Sequence, residues 1–322
     1  MGEIIPCAAA AMVGAGFASG REIMQFFSRY GSFSWALVLL ASGITALMIR
    51  RILARNGTQT AAGKGLLIVF SLAVGGGMTA AAGELWALTV PLPYARTAGR
   101  LITLMVCLRL ADGSLRGMVW LGKILLPLLL AVLILCLRVP GASQRKAVTI
   151  WESIRAIIGV AGYCGLNGMT AAGVLCGGAV STTDRNRISL GIGLLAALLL
   201  GLGNAALLSH AAELGDAPLP AVILLRTYGK TGYYLAAAVL YLAASTTLIA
   251  VLRSLLTLTA PYLHRQRKAL IWLAVLAVSL LGFQDIVGTA YPALGWAYLL
   301  LLMIKREQST WRSVQSTDDI AQ

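Results

Sequence analysis

Two glycine-rich stretches lie inside apolar segments, and they constrain the fold more than any other feature of this sequence. Residues 13–20 read VGAGFASG and residues 159–168 read GVAGYCGLNG. Glycine loosens an α-helix, and an unwound turn in lipid exposes N–H and C=O groups that no water can satisfy. Because each stretch lies near the start of its own half of the chain, the pair predicts two discontinuous helices around a central binding site.

The same glycines also fit a second interpretation, which is close packing between helices. Gly16 and Gly20 are four residues apart, the spacing at which small residues let two membrane helices approach. The second stretch adds the phenol of Tyr163 and the amide of Asn167 at membrane depth. These polar groups favour a binding role, because polar side chains inside a bilayer are costly unless they have a function or a partner.

The composition is that of a membrane protein. Hydrophobic residues make up 58% of the chain, charged residues only 12%, and the mean hydropathy is +0.82, whereas about a quarter of a typical soluble domain is charged. The formal net charge of +14 comes from Lys and Arg spread along the loops that flank apolar segments. Such charges set membrane orientation, so we expect a lipid bilayer as the partner and no nucleic acid.

The apolar segments predict ten membrane spans. Their residues are 4–27, 33–52, 64–88, 98–110, 118–137, 151–176, 188–209, 232–258, 269–283 and 286–304. Because five spans is an odd number, the second half would insert with inverted topology, as in an inverted-repeat transporter. We therefore predict an all-α integral membrane protein with a 5+5 inverted repeat and discontinuous helices 1 and 6. The predicted divisions are residues 1–142 for the first repeat, 143–304 for the second, and 305–322 for a polar cytoplasmic tail.

The charge asymmetry between loops predicts the orientation. With the N-terminus in the cytoplasm, most of the 26 Lys and Arg residues fall on the cytoplasmic side, as the positive-inside rule requires. We expect a multi-pass protein of the cell (plasma) membrane with both termini in the cytoplasm.

Glu84 is an ionisable residue within the third predicted span, where it could carry a proton or bind an amine. Trp86 and Pro91 follow it and indicate the membrane interface, so a surface position is the alternative. The five cysteines lie in apolar segments without metal-ligand spacing, and they fit small buried hydrophobic residues. The sequence contains no hydrolase or redox motif, so we expect neither an enzyme nor a cofactor or transition-metal site.

Residues 13–27, VGAGFASGREIMQFF, resemble the first helix of YkvI-like amino-acid permeases, which belong to the amino acid–polyamine–organocation superfamily. Asn167 after Gly165-Leu166, and the Tyr291-Pro292 pair with Gly295, are also similar to that family. The resemblance covers residues 1–304 and implies the LeuT-type fold and transport of an amino acid.

The resemblance also implies a sodium site. LeuT-type carriers hold sodium between the first and eighth helices, and the sequence AASTT at residues 243–247 matches the pattern of the eighth helix. The implied ligands are the carbonyls of Ala10, Val13 and Ala243 and the hydroxyls of Thr246 and Thr247. The alternative is that these hydroxyls bond carbonyls of their own helix or a neighbouring one.

Together these features predict a secondary transporter of a small solute, expected to be an amino acid, coupled to sodium or protons by alternating access. The predicted solute-binding residues are Gly14, Ala15, Gly16, Phe17, Ser19, Gly162, Tyr163, Gly165 and Asn167. The alternative is a non-transporting ligand sensor or scaffold on the same fold. The sequence names neither the substrate nor the oligomeric state.

Overall fold

Helices make up nearly all of the chain that the computed structural model describes. The described residues are 12, 15–54, 61–112, 115–141, 148–175, 181–215, 217, 219–261 and 266–303. The helices are α1 (Ala15–Ala18), α2 (Arg21–Phe26), α3 (Ser34–Ala54), α4 (Ala61–Thr89), α5 (Ala95–Ala111), α6 (Leu115–Leu137), α7 (Ile150–Leu175), α8 (Thr182–Leu208), α9 (Ala211–Leu214), α10 (Pro220–Leu225), α11 (Gly229–Leu258), α12 (Arg267–Ser279) and α13 (Phe283–Met303). Short 3₁₀ segments join α2 to α3 at Ser28–Phe33 and α10 to α11 at Arg226–Tyr228.

Polar residues at helix starts act as caps. Before α7, the amide of Thr149 donates to the Glu152 carboxylate at 3.0 Å, and the amide of Glu152 donates to the Thr149 hydroxyl at 3.2 Å. This reciprocal capping box satisfies amides that the first helical turn leaves free. At α8 the Ser181 hydroxyl accepts from the Asp184 amide at 3.1 Å. These caps fix where two of the long helices begin.

Several of the helices are long and apolar enough to cross a membrane. Within the described chain there are five such stretches, namely Ser28–Ala54, Gly63–Thr89, Thr183–Leu208, Pro220–Leu258 and Phe283–Met303. The protein is therefore a multi-pass, all-helical membrane protein. The count of ten spans, the division at residue 142 and the cytoplasmic placement of both termini remain predictions. The predicted tail lies outside the described residues, which end at 303.

The long helices form two packing groups. In the first group α3 packs mainly on α7 and α8; in the second, α4 packs mainly on α11, α5 and α12. The two halves of the first helix contact different groups, because α1 packs on α11 whereas α2 packs on α7 and α8. The chain between α1 and α2 therefore passes from one group to the other.

The first helix is interrupted, as predicted. Helix α1 ends at Ala18 and α2 begins at Arg21, and Gly20 between them has φ 80° and ψ −2°. This left-handed conformation costs little for glycine, which lacks a Cβ atom, but it cannot continue a right-handed helix. The interruption is fully enclosed by protein, since Ser19 and Gly20 are buried.

The prediction of a second discontinuous helix is wrong. Helix α7 runs without interruption from Ile150 to Leu175 and includes all of residues 159–168. The reason is that its glycines serve close packing. A Cβ atom on Gly165 would lie 2.1 Å from the carbonyl oxygen of Gly295, and one on Gly295 would lie 1.8 Å from the carbonyl oxygen of Gly162. Only glycine allows the backbones of α7 and α13 to approach so closely.

Candidate functional site

A small cavity lies where α1, α3, α7 and α8 meet. Its lining, within the described chain, consists of Met12, Phe17, Thr45, Tyr163, Asn167, Ile192, Ala196, Leu199 and Leu200. About 30 Å³ is open to the centres of water-sized molecules, which is enough for roughly two waters. The lining is largely apolar, with a hydroxyl, a phenol and an amide as the polar groups, and this combination is typical of a site for a small organic molecule.

Three of the predicted solute-binding residues meet at this cavity. Phe17 comes from the last turn of α1, and Tyr163 and Asn167 come from one face of α7, four residues apart. The Asn167 amide nitrogen donates to the Tyr163 carbonyl at 3.0 Å, which orients the side chain along the helix. Whether these residues bind a solute remains a prediction.

An aromatic cluster holds the wall of the cavity. The Tyr163 ring lies 5.3 Å from that of Phe26 and 5.5 Å from that of Phe27, the second contact being edge to face. Both distances fall in the range in which aromatic pairs stabilise each other. The cluster joins the end of α2 to α7, so the part of the first helix beyond the interruption is fixed to the first packing group.

Hydrogen bonds from α10 and from the first helix itself satisfy polar groups at the interruption. The Ser19 carbonyl accepts from the amide of Ala221 in α10 at 2.8 Å. The Ser19 hydroxyl donates to the Gly16 carbonyl at 3.0 Å and accepts from the Arg21 amide at 3.2 Å. The short helix α10, whose residues are mostly buried, therefore packs against the interruption and supplies one of its hydrogen bonds.

The other predicted solute-binding residues are not among the described residues that line the cavity. Gly16 and Ser19 are buried beside the interruption, whereas Gly162 and Gly165 face α13 instead of the cavity. Because α7 is continuous, the main chain of residues 162–167 is engaged in helical hydrogen bonds. Ala15 begins α1, and Gly14 lies outside the described residues.

The two threonines of the implied sodium site differ in their hydrogen bonds. The Thr246 hydroxyl donates to the Ala243 carbonyl at 3.0 Å, which is a bond within its own helix. The Thr247 side chain is only 4% exposed, and its hydroxyl has no hydrogen-bond partner in the described structure. Thr247 is thus the one of the pair that leaves an oxygen for a ligand, and Ala10 and Val13 lie outside the described residues.

Glu84 forms ion pairs with α5. Its carboxylate lies 3.0 Å from the Arg96 guanidinium and 3.9 Å from that of Arg100, and its side chain is partly exposed. The contacts of the Glu84 carboxyl group in the described structure are thus with two arginines of α5. A proton-carrying or amine-binding role for Glu84 remains a prediction that no contact here supports.

Glu22 is not among the predicted solute-binding or ion-binding residues, although with Arg21 it could form a gate pair at the end of the first helix. It lies in the first turn of α2, directly after the interruption, and is only 4% exposed. Its position beside Arg21 suggests a solvated helix end, because charge pairs usually close a membrane helix at the interface. The sequence signal that could have indicated the burial of Glu22 is its position two residues after Gly20. The helix is interrupted at Gly20, and the turn that follows lies inside the protein.

Metal-ligating side chains do not cluster in the described part of the chain, where no group of three or more His, Cys, Asp or Glu residues could hold a metal ion. Cys107, Cys136 and Cys164 are free and buried, in keeping with a packing role. Cys7 and Cys176 lie outside the described residues.

Comparisons with known proteins place the fold. The chain is similar to a manganese transporter of Eremococcus coleocola, solved with an aromatic bis-isothiourea substituted compound, at 14% sequence identity and a TM-score of 0.54; the match covers 94% of this chain and 75% of that one. A histidine-to-alanine mutant of a manganese transporter from the same organism matches at 14% identity and a TM-score of 0.51, over 93% of this chain and 76% of that one.

No protein-family model and no curated protein matched the chain. The resemblance to YkvI-like permeases thus stays a sequence-based expectation, whereas the similarity to the two solved structures extends over nearly the whole chain. At this level of identity such a similarity establishes the fold alone. The chain is an all-helical, multi-pass membrane protein with a LeuT-like fold that it shares with a transporter.

Proposed function

We propose that this protein is a secondary active transporter of a small organic solute, and that the solute is an amino acid carried by alternating access in symport with sodium or protons. The observation that carries the proposal is the interruption at Ser19–Gly20, two residues from the cavity residue Phe17. Irregular backbone inside a membrane protein is typical of a solute pathway.

The arrangement of the two packing groups supports alternating access. The interruption lies at the crossing from the second group, contacted by α1, to the first group, contacted by α2. A non-helical link can absorb a rotation of one group against the other while each group stays rigid. The cavity is lined by α3, α7 and α8 of the first group together with α1, so such a rotation would open it.

Helix pairing supports the 5+5 repeat. The most extensive packing joins α3 with α8 and α4 with α11. These are the second with the seventh and the third with the eighth predicted span, so both pairs are five spans apart. An inverted repeat with a two-fold axis in the membrane plane would produce this pairing.

The polar groups of the cavity support an organic solute over a divalent metal. The described lining offers an amide, a phenol and a hydroxyl among apolar side chains, and no carboxylate, imidazole or thiol. The similar structures are of a manganese transporter, but manganese prefers carboxylate, carbonyl and water ligands. The apolar lining suits a small side chain or carbon skeleton, and the amide and phenol suit its charged or polar end.

The cavity in this structure is smaller than the proposed solute. Room for about two waters is too little for an amino acid. In the proposed cycle, the solute enters when the two groups separate on one side, and the site closes again before it opens to the other side.

Uptake into proteoliposomes tests this proposal. A panel of labelled neutral, acidic and aromatic amino acids would be offered with a sodium gradient, with a proton gradient and with neither. We expect gradient-driven accumulation of at least one member, abolished by an ionophore that collapses the gradient. Manganese uptake with no amino-acid uptake would contradict the proposed solute class.

The same panel separates a transporter from a ligand sensor on this fold. A sensor would show ligand-dependent thermal stabilisation of the purified protein without uptake of that ligand. A transporter is expected to show both, and Asn167→Ala is expected to weaken both together. Loss of stabilisation with unchanged uptake in this variant would remove Asn167 from the binding site.

A further inference from the structure

Glu22 is a buried carboxyl group that the proposed solute site does not use. Its side chain is 4% exposed, and within the described structure no cation forms an ion pair with it. The neighbouring Arg21 guanidinium donates to the Ala217 carbonyl at 3.4 Å, and Arg29 lies over the Tyr30 ring. Burial of a carboxylate without a partner is strongly unfavourable, and burial of the neutral acid costs much less.

The Glu22 side chain packs against Gly16 of α1. A Cβ atom on Gly16 would lie 2.1 Å from a Glu22 carboxyl oxygen, so a larger residue at this position of α1 would displace the carboxyl group. The carboxyl group therefore lies across the interruption, against the helix half that contacts the other packing group. Movement of one group against the other would change its surroundings directly.

Unpartnered polar groups lie near this carboxyl group. Tyr291 is 2% exposed, its hydroxyl has no hydrogen-bond partner, and it is within electrostatic range of Glu22. It directly follows a π-helical turn of α13, Ile286–Ala290, a distortion that often occurs at functional sites. On α2 itself, the Gln25 side-chain oxygen is also buried and without a partner. Buried polar groups without a partner are rare in native structures, and each one calls for an explanation such as a bound water, an ion or a functional role.

Tyr163 connects this region to the cavity. Its phenol is within electrostatic range of Glu22, and its ring lines the cavity together with Phe17. The titratable groups within electrostatic range of Glu22 in the described structure are the phenols of Tyr163 on α7 and Tyr291 on α13. On α8 the polar residue at this level is Asn204, which hydrogen-bonds Ser28 and Ser34. No described charged group offsets a charge on Glu22.

We propose that Glu22 is the coupling site of the transporter and that the coupled ion is a proton bound to its carboxyl group. In the closed conformation of the cycle the acid is neutral, because its buried surroundings offer no cation to balance a carboxylate. When the two packing groups separate toward the cytoplasm, water reaches the carboxyl group, which releases its proton to that water. The carboxylate takes up a proton from external water when the opposite side opens. The proposal rests on the proposed transport function for its coupling role.

Infrared difference spectroscopy of the purified protein in lipid tests the proton site without a substrate. We expect the carbonyl band of a protonated carboxylic acid in apolar surroundings at neutral pH. The band should vanish in Glu22→Gln, shift in Glu22→Asp, and persist in Glu213→Gln, which alters an exposed carboxylate beside His210. A band unchanged in Glu22→Gln, or the absence of such a band in the parent, would overturn the proposal.

Uptake tests the coupling. With a gradient of about one pH unit, one-to-one symport accumulates a labelled amino acid about tenfold, since each factor of ten corresponds to about 1.4 kcal/mol. Glu22→Gln should reduce accumulation to about onefold while exchange of labelled for unlabelled solute continues, because exchange needs no net proton movement. The Glu213→Gln variant, which alters an exposed carboxylate outside the proposed sites, should still accumulate solute.

The infrared and uptake experiments together distinguish a failure of the proposed proton site from a failure of the proposed transport function. A carboxylic acid band that vanishes in Glu22→Gln, in a protein that transports nothing, would support the proton site and contradict the transporter. Uptake that depends on sodium and persists in Glu22→Gln would support the transporter and overturn the proton site. A matched loss of exchange and accumulation would also overturn it, because Glu22 would then serve solute binding.

Discussion

The two glycine-rich stretches are alike in sequence and opposite in structure. Residues 13–20 contain an interruption at Ser19–Gly20, whereas residues 159–168 lie within the uninterrupted helix α7. In the first stretch, Gly20 adopts a left-handed conformation and Gly16 leaves room for a carboxyl group. In the second, Gly162 and Gly165 bring α7 against the backbone of α13. Glycine therefore allows a left-handed backbone conformation in the first stretch and close contact between two helices in the second.

The difference lies in what each stretch packs against. Gly162 and Gly165 of α7 lie opposite Gly295 of α13, so the two helices pack backbone to backbone. The helical hydrogen bonds of α7 remain intact in this contact. The first stretch meets the amide of Ala221, which donates to the Ser19 carbonyl, and a carboxyl group from the next turn. An interruption persists where neighbouring groups satisfy its exposed backbone.

The largest effect is expected from Gly165→Ala. Its Cβ atom would lie 2.1 Å from the Gly295 carbonyl oxygen, and a backbone atom cannot move aside as a side chain can, so we expect a loss of about 3 kcal/mol in unfolding free energy. Thermal unfolding in detergent measures the effect. Gly159→Ala is the matched control on the same helix, because its Cβ atom would make only an ordinary contact of 3.5 Å with Phe26.

Equal stability of the two α7 variants would show that glycine contact does not determine the continuity of this helix. A stable Gly165→Ala protein would further indicate that α7 and α13 separate more easily than the described contact implies.

A smaller loss of stability, with a large loss of transport, is expected from Gly20→Ala. The left-handed conformation costs about 1–2 kcal/mol for a residue with a Cβ atom, and that atom would lie 2.7 Å from a Leu207 methyl group. Thermal unfolding and proteoliposome uptake would be measured together. If uptake matched that of the parent, the interruption would not be needed for movement of the two groups.

The smallest effect is expected from Thr247→Val. The change removes a buried hydroxyl that has no partner in the described structure, and relief of an unsatisfied group should raise the unfolding free energy by about 1 kcal/mol. Thr246→Val is the comparison, because its hydroxyl bonds Ala243. Sodium-dependent stabilisation of the parent that disappears in Thr247→Val would contradict this expectation and support the implied sodium site.

Much of the architecture could be predicted from the sequence. Composition and segment length indicate a multi-pass helical protein, because a bilayer accepts only backbone whose hydrogen bonds are internally satisfied. Residues 13–27 pointed to a LeuT-type fold, and the similarity to a solved transporter supports that fold. Phe17, Tyr163 and Asn167, singled out for their place in the glycine-rich stretches, line one cavity.

The remaining parts of the site depend on contacts between distant residues. The burial of Glu22, the pairing of Glu84 with Arg96 and Arg100, and the unpartnered hydroxyl of Thr247 all follow from which helices face each residue. A single sequence contains no direct record of those neighbours. The sequence therefore indicated Glu84, which has two cations beside it, as a possible proton or amine site. It gave no sign that Glu22 is buried without a cation in the described structure.

The sequence by itself determined that this chain is a bundle of apolar helices. It also determined that glycine is concentrated in two of them, at residues 13–20 and 159–168. Only the tertiary structure decided which site is interrupted and which is continuous. The physical reason is that glycine has no side chain, and the sequence does not show which neighbouring group occupies the space that a side chain would fill. At Gly165 the space is filled by the backbone of α13, and at Gly16 it is filled by the carboxyl group of Glu22.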